Sequence, residues 1–213
     1  MRILLGAFDP FGGEDVNPAL EAVKQVNHFI EGHPVLKLEI PTVFHRSLEV
    51  LIDNIKENQP DIIIVVGQAG GRSQISVERI GINLDDARIP DNQGNTPINK
   101  KIVSGGDDAY FSNLPIKAMV RSIRQEGIPA EVSNTAGTFV CNHVLYGLMH
   151  FIHREKPKAR GGFIHVPYIP LQVTDKPGMP SMALEDIIKA LEGAIRAAVN
   201  HKEDIIAEEG SLH

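Results

Sequence analysis

Three residues in this chain have side chains that could together cleave a bond by nucleophilic attack. The only cysteine, Cys141, falls at the predicted start of a helix, where unpaired backbone N–H groups favour a thiolate over a thiol. His165 lies in an otherwise apolar predicted strand, and Glu78 is flanked by apolar residues. This pattern predicts a nucleophile, Cys141, with His165 as its base and Glu78 as the group that orients the imidazole.

Each of these residues also has a simpler interpretation. A lone cysteine is often an inert buried thiol, and a histidine in an apolar strand is often a hydrogen-bonded core residue. Glu78 could instead pair with Arg79 at the surface. A metal site is a further alternative, because His143, His150 and His153 fall within one helical sector. No acidic or cysteine partner joins these histidines at a recognised ligand spacing, so we predict no metal there.

Composition limits the class of protein. The chain has 213 residues, a formal net charge of -6 and no long run of either charge, which argues against a nucleic-acid partner. A single cysteine excludes an internal disulfide and fits a reducing compartment. No signal-peptide core is apparent, and no apolar run reaches the roughly 18 residues of a spanning helix. We expect one domain over residues 1–213, located in the cytoplasm without a membrane partner.

Strand-like and helix-like segments alternate along the chain. The apolar, β-branched run at 62–66 is typical of a central parallel strand that is covered on both faces. The sequence therefore predicts a three-layer α/β/α sandwich with a mostly parallel twisted sheet. Strands are predicted near 3–8, 36–40, 62–66, 130–133 and 163–166. Helices are predicted near 18–30, 48–59, 116–125, 141–154 and 182–201.

Several marked segments fall where parallel strands end, which is where open α/β sheets bind ligands. They are 9–13, 67–72, the turn before Cys141 and the end of the strand that carries His165. Residues 67–71 could instead cradle a phosphate, but they match neither the dinucleotide fingerprint nor the P-loop. The segment 85–108 is rich in Asp, Gly, Asn and Pro, and is predicted to be either a binding loop or a disordered surface loop.

The chain closely resembles the pyroglutamyl peptidase type I family, also called pyrrolidone carboxyl peptidases, from end to end. The resemblance rests on GAFDPFGG at 6–13, GQAGGR at 67–72, VERIGIN at 77–83, ARIPDN at 87–92, NTAGTFVCNH at 134–143 and GGFIHVPYIP at 161–170. The family's catalytic triad falls on Glu78, Cys141 and His165, in the family's order. Ala7 is a small departure, because relatives often carry another residue there.

The resemblance implies a cysteine exopeptidase, or omega peptidase, that removes an N-terminal pyroglutamyl residue from peptides through an acyl-enzyme on Cys141. It also implies a cytosolic homotetramer that uses no metal or cofactor. A neutral lactam is best held by apolar walls and one or two hydrogen bonds. Arg88 and backbone N–H groups near Cys141 are candidates to stabilise the oxyanion. The family's pocket residues match Phe8, Phe11, Thr42, Ile89, Phe139 and Val140, with Gln68 in the segment expected to bond the lactam.

Two other classes stay open at this point. A glycosyl-transferring phosphorylase on a similar scaffold would need a phosphate site and could dispense with Cys141. A non-catalytic thiol sensor or binding module would keep a reactive Cys141 but show no turnover. Without the resemblance, Phe8 and Phe139 would be read as ordinary core residues.

Overall fold

The computed structural model describes residues 1–155 and 158–210, and its centre is a seven-stranded sheet. The strands are β1 (Ile3–Phe8), β2 (Phe29–Ile30), β3 (His33–Ile40), β4 (Ile62–Gln68), β5 (Ile75–Glu78), β6 (Ile80–Ile82), β7 (Ala109–Phe111), β8 (Ala130–Ser133) and β9 (Arg160–Val166). The helices are α1 (Pro18–Gln25), α2 (Arg46–Asn58), α3 (Ile116–Gln125), α4 (Val140–Glu155) and α5 (Leu184–Asn200). β6 and β7 form a separate antiparallel pair.

The strands of the main sheet follow the order β2-β3-β1-β4-β9-β5-β8. The central strands β3, β1, β4 and β9 are parallel, and β8 is parallel to β5. β5 runs antiparallel to β9, and β2 runs antiparallel to β3. The ends of β1, β4 and β9 therefore meet at one edge of the sheet, and the antiparallel β5 begins beside that edge.

Both faces of the sheet are covered, as the burial of every residue of the largely apolar strand β4 shows. One core contains residues of α1, α3 and α5, such as Met119 and Leu191. The core on the opposite face contains residues of α2 and α4, such as Leu51 and Val144. The predicted three-layer α/β/α sandwich with a mostly parallel sheet is confirmed.

The first predicted helix is shorter than expected. Asn17 caps its start, because its side-chain oxygen accepts a hydrogen bond from Ala19 N at 3.0 Å. The helix ends at Gln25 rather than near Ile30, because Phe29 and Ile30 pair with β3 as a short strand. The sequence also predicted no strand for β2, β5, β6 or β7.

The segment 85–108 is fixed to the rest of the fold. Asp85 and Lys100 exchange backbone hydrogen bonds of 2.7 and 2.9 Å. The buried carboxylate of Asp91 accepts hydrogen bonds from the backbone N–H groups of Phe44, Gln93 and Asn95. Of the two predicted alternatives, the structure therefore contradicts the disordered surface loop.

No helix within residues 1–155 and 158–210 has both the length and the apolar character needed to cross a bilayer. The single domain over residues 1–213 stays a prediction, and residues 211–213 lie outside the described part of the chain.

Candidate active site

Glu78 and His165 are brought together by the antiparallel pairing of β5 with β9. In this register Ser76 lies opposite His165 and Glu78 lies opposite Phe163, so Glu78 and His165 are diagonal neighbours on the same face of the sheet. Their side chains meet at 2.7 Å, from His165 Nδ1 to Glu78 Oε1. Glu78 is completely buried, and His165 is 4% exposed. The surface pair of Glu78 with Arg79 is therefore contradicted.

Arg72 is a second partner of the same carboxylate, and the sequence did not single it out. Its Nη1 donates to Glu78 Oε1 at 2.7 Å, and its Nη2 donates to Thr135 O at 2.9 Å. Burial alone would raise the pKa of Glu78, but the hydrogen bond to His165 and the guanidinium of Arg72 together hold that pKa below its usual range. Glu78 is thus an ionised carboxylate that holds an imidazole.

Cys141 is the second residue of α4 and lies against β4. A Cβ atom at Gly67 would be only 2.9 Å from Cys141 Sγ, so the sulfur fills the space that a side chain would take. Gly67 pairs with His165 in the register of β4 and β9. The thiol therefore lies beside the strand position that is adjacent to His165.

The ionisation of the thiol differs from the expectation based on the helix terminus. Burial raises the pKa of Cys141 to about 12, with the charge of Glu78 acting in the same direction and Arg72 opposing both. Burial also lowers the pKa of His165, although Glu78 offsets part of this effect. Both directions favour a neutral thiol and a neutral imidazole at rest, in which case the thiol loses its proton to a base before it attacks.

The start of α4 supplies hydrogen-bond donors beside the sulfur. The first helical hydrogen bond runs from His143 N to Phe139 O at 3.1 Å. The N–H groups of Val140, Cys141 and Asn142 precede that bond, so they have no acceptor within the helix. Donors in this position can stabilise negative charge that develops on an oxygen next to the thiol.

A cleft of about 560 Å³ opens over these residues. Its walls are formed by Phe11, Gln68, Gly70, Asp86, Arg88, Ile89, Ala136, Gly137, Thr138, Phe139, Cys141, His165 and Tyr168. The structure thus brings Phe11, Gln68, Ile89 and Phe139, four of the predicted substrate-binding residues, to the same cleft as the thiol and the imidazole. Arg88, the predicted oxyanion residue, is an exposed part of the wall.

The structure does not place the other three predicted binding residues on the walls of this cleft. Phe8 is 1% exposed and packs against Phe163, with 6.1 Å between ring centroids. Thr42 is buried, and its hydroxyl donates to Asp9 O at 3.1 Å. Val140 is completely buried in the core between α4 and the sheet. Phe8 and Val140 are therefore core residues, and Thr42 is a buried polar residue bonded to the loop after β1.

Known proteins are similar to this chain along almost its whole length. The family described as pyroglutamyl peptidase matches residues 1–201. The chain belongs to this family. It is 57% identical to the pyrrolidone-carboxylate peptidase of Clostridium perfringens strain 13 over 212 residues, which cover 100% of both chains. The crystal structure of pyroglutamyl peptidase I from Bacillus amyloliquefaciens has a TM-score of 0.95 and 56% identity, covering 97% of this chain and 99% of that one. A pyrrolidone carboxyl peptidase mutant from Pyrococcus furiosus has a TM-score of 0.90 at 43% identity, covering 94% and 99%.

In this family member, the segment 85–108 forms one rim of the cleft. Asp86 N donates to Thr138 O at 2.9 Å, and Thr138 Oγ1 donates to Asp86 O at 2.7 Å. These two bonds join the segment to the turn that precedes Cys141. Asp86, Thr138 and Tyr168 were not among the predicted site residues, because only the folded chain shows that they share the cleft with Cys141.

The two residues after Cys141 hold the start of α4 in place. The side chain of Asn142 accepts from Ile82 N at 2.9 Å and donates to the carbonyls of Ile82 and Leu84. His143 Nδ1 lies 2.8 Å from Asp85 Oδ2, and His143 Nε2 accepts from His45 N. Both side chains are almost completely buried. The nucleophile is therefore carried on a helix start that is bonded to β6 and to two loops.

These contacts also bear on the alternative of a metal site. His143 has the partners given above, and His150 Nδ1 lies 3.2 Å from the Tyr110 hydroxyl. Among residues 1–155 and 158–210, no group of three or more His, Cys, Asp or Glu side chains is arranged to hold a metal ion. His143 and His150 are therefore accounted for by other contacts, and the ring of His153 packs against that of Tyr110.

Proposed function

We propose that this chain is a cysteine exopeptidase that hydrolyses the bond after an N-terminal pyroglutamyl residue of a peptide. The observation that carries the proposal is the 2.7 Å contact of Glu78 with His165, whose imidazole shares a cleft with Cys141. Membership of the pyroglutamyl peptidase family supports this choice of substrate. The reaction consumes water and needs no redox partner.

In the proposed reaction, Cys141 Sγ attacks the carbonyl carbon of the pyroglutamyl residue. His165 Nε2 takes the thiol proton, while its Nδ1–H stays bonded to Glu78, which stabilises the imidazolium. The tetrahedral intermediate collapses to a thioester, and the imidazolium gives its proton to the leaving amine. Water then attacks the thioester with His165 again as base, which releases pyroglutamate and restores the thiol.

Negative charge on the substrate oxygen is stabilised in this proposal by donors at the start of α4. The N–H groups of Val140 and Cys141 precede the first helical hydrogen bond and lie beside the nucleophile. Arg88, on the exposed rim, is a second proposed source of positive charge. The variant Arg88→Gln distinguishes the backbone donors from the arginine side chain. If the backbone N–H groups stabilise the oxyanion, kcat should stay within about tenfold of the parent value.

The pocket for the lactam ring is proposed to consist of Phe11, Ile89 and Phe139, with the Gln68 amide as the hydrogen-bonding group. The rings of Phe11 and Phe139 are 6.0 Å apart, and Phe139 is held edge-on by Phe44 at 5.3 Å. Phe8, Thr42 and Val140 are buried, so their proposed role is indirect, as support for these walls. An apolar pocket of this kind suits an uncharged ring.

The experiment that tests the function measures release of a fluorescent amine from pyroglutamyl, prolyl and glutamyl amides. We expect turnover of the pyroglutamyl amide only. Cys141→Ala should reduce this turnover to less than about a thousandth while circular dichroism remains native. Because Cys141 is the only cysteine, alkylation by iodoacetamide should abolish activity in the same way. Amide turnover that survives alkylation would show that Cys141 is not the nucleophile. A parent protein whose thiol is alkylated by iodoacetamide but which turns over none of the amides would favour a thiol sensor.

We also propose that the protein works as a cytoplasmic homotetramer. A catalytic thiol must stay reduced, which supports a reducing compartment. Large apolar side chains are exposed at Phe29, Phe111 and Leu171, and such surface commonly marks contacts between subunits. Light scattering should give four times the chain mass of 23.3 kDa, and cell fractionation should recover the protein with cytosolic enzymes.

A further inference from the structure

The side chain of Gln172 has a fixed orientation, although it lies outside the cleft walls. It belongs to the 3₁₀ turn Pro170–Val173 and is 6% exposed. Its Oε1 accepts from Ile169 N at 3.2 Å, and its Nε2 donates to Val16 O at 3.3 Å. A backbone N–H can only donate and a backbone carbonyl can only accept, so these two contacts determine which end of the amide is oxygen and which is nitrogen.

Gln172 in turn fixes the orientation of the neighbouring side-chain amide of Gln68. Gln172 Nε2 also lies 2.9 Å from Gln68 Oε1. Since Gln172 presents a donor there, Gln68 must present its oxygen in return. The NH₂ end of Gln68 is then the end available to the cleft, whose wall Gln68 helps to form. Glu14 supports the same arrangement, because its carboxylate accepts from Gln172 Nε2 at 3.2 Å and is paired with Lys176.

We propose that Gln172 is a positioning residue for substrate specificity, which makes Gln68 a hydrogen-bond donor to the carbonyl oxygen of the substrate ring. This inference rests on the proposed function. A ring that carries a carbonyl satisfies the Gln68 donor, whereas a proline ring leaves that donor unpaired in a nearly buried position. Gln172 itself does not contact the substrate. It acts only by determining which end of the Gln68 amide faces the substrate.

The variant Gln172→Glu tests the proposal, because a carboxylate has the shape of the amide but cannot donate to Gln68. Gln68 would then rotate, give its NH₂ group to the introduced carboxylate and turn its oxygen toward the ring carbonyl. We expect kcat/KM for the pyroglutamyl amide to fall by about 10- to 100-fold, mainly through KM, because the bond is made in both the ground state and the transition state. The prolyl amide should show no comparable loss, so the ratio between the two substrates should fall.

Two further measurements and a control variant separate this role from a structural one. The inhibition constant of the free lactam pyrrolidone should rise with KM, while the rate of alkylation of Cys141 by iodoacetamide should stay at the parent value. Gln125→Glu, the same change at the exposed end of α3, should alter neither. If the new carboxylate prevents folding through repulsion by Glu14, the double variant Glu14→Gln with Gln172→Glu keeps the net charge and carries the same test.

A clear result would overturn the inference. If a folded variant keeps the parent ratio of pyroglutamyl to prolyl activity and the parent inhibition constant for pyrrolidone, Gln172 merely ties its turn to residues 14–16. The proposed function fails separately, and takes the inference with it, if the parent protein does not cleave pyroglutamyl amides at all. A fall in specificity with normal alkylation supports the positioning role.

Discussion

Gly67 and Cys141 share one space in this fold: a Cβ atom at Gly67 would lie 2.9 Å from Cys141 Sγ. The same Cβ would lie 2.9 Å from the ring of Phe163, so it would be trapped between two side chains. Gly67 pairs with His165 on the next strand. The missing side chain is therefore what allows the sulfur to approach the sheet next to its proposed base.

Gly67→Ala should consequently impair catalysis by moving the nucleophile. We expect kcat to fall by about 100-fold, since a displacement of the reacting atom near 1 Å has that effect. Overpacking should also lower the free energy of unfolding by about 1–3 kcal/mol. Gly193→Ala in α5 is the control, because a Cβ there would have no neighbour closer than 3.5 Å. Normal kcat in Gly67→Ala would mean that the sulfur can move without cost.

The pH dependence of activity should reflect the protonation of His165, which must be neutral to accept the thiol proton. Burial lowers the pKa of His165 below its usual value of about 6.5. Below this lowered pKa the imidazole is protonated and cannot accept the thiol proton, so activity is lost as the pH falls through it. We expect the acid limb of kcat/KM to have its midpoint below about pH 6.5. A midpoint well above that value would indicate that a different group acts as the base.

Glu78→Gln should lower the plateau of activity and also move this acid limb. The hydrogen bond and charge of Glu78 raise the pKa of His165, so their loss lowers that pKa and shifts the limb to lower pH. We expect kcat to fall by about 10²- to 10⁴-fold with little change in KM, because the imidazolium loses its partner.

The control for this variant is Glu131→Gln on β8. Glu131 accepts from the Ser76 hydroxyl at 3.1 Å, so the change removes a similar carboxylate from the same sheet without touching His165. The profile of this variant should match the parent. Should Glu78→Gln behave like Glu131→Gln, the site is a dyad of Cys141 and His165.

Much of the fold could be predicted from the sequence, because the bounds of many elements depend on local residue patterns. The helix at 116–125 and the strand at 130–133 have the predicted bounds, since apolar spacing and flanking turns define them. The end of α1 could not be predicted from such local patterns. Residues 29–30 are apolar at helical spacing, but pairing with β3 decides their conformation.

The site could be predicted from the sequence only in part, for a related reason. Residue types indicated Glu78, Cys141 and His165, but the diagonal contact of Glu78 with His165 depends on the register between β5 and β9. Arg72 and Gln172 act through contacts that no local pattern reveals. Nor does an apolar pattern distinguish a cleft wall such as Phe139 from a core residue such as Phe8, since both are aromatic side chains in apolar segments.

Asp91 provides a test of how the cleft rim is held. Burial opposes its ionisation, but hydrogen bonds from Asn95, Phe44 and Gln93 hold the pKa of Asp91 below its usual value. A carboxyl whose pKa is lower in the folded state stabilises the fold above its unfolded pKa, and this stabilisation is lost as the pH falls through the folded pKa. Asp91→Asn should lower the free energy of unfolding by about 1–3 kcal/mol at neutral pH.

The stability of Asp91→Asn should also depend less on pH under acidic conditions, because the titrating group is gone. Urea unfolding at pH 7 and near pH 3 measures both effects. Asp53→Asn, a change at an exposed position of α2, should leave both values unchanged. Equal acid sensitivity in the parent and Asp91→Asn would show that other carboxylates carry the acid sensitivity.

Arg72 should act on His165 in the direction opposite to Glu78. Its positive charge lowers the pKa of His165, so Arg72→Gln should raise that pKa and move the acid limb of kcat/KM to higher pH. The plateau should fall by about tenfold or more, because a charge-assisted hydrogen bond to Glu78 Oε1 is lost. When kcat/KM is titrated in parallel, the acid limb should lie at the lowest pH in Glu78→Gln, at an intermediate pH in the parent and at the highest pH in Arg72→Gln.

Arg79→Gln distinguishes an effect of Arg72 itself from a general loss of positive charge. Arg79 follows Glu78 in sequence, but its side chain bonds to Asn134 Oδ1 and Glu209 O and leaves the carboxylate untouched. Its acid limb should coincide with that of the parent. Because removal of an anion and removal of a cation shift the limb in opposite directions, a merely structural role for Arg72 or Glu78 cannot reproduce the order. Equal shifts in Arg72→Gln and Arg79→Gln would show that net charge, and not the contact with Glu78, sets the pKa of His165.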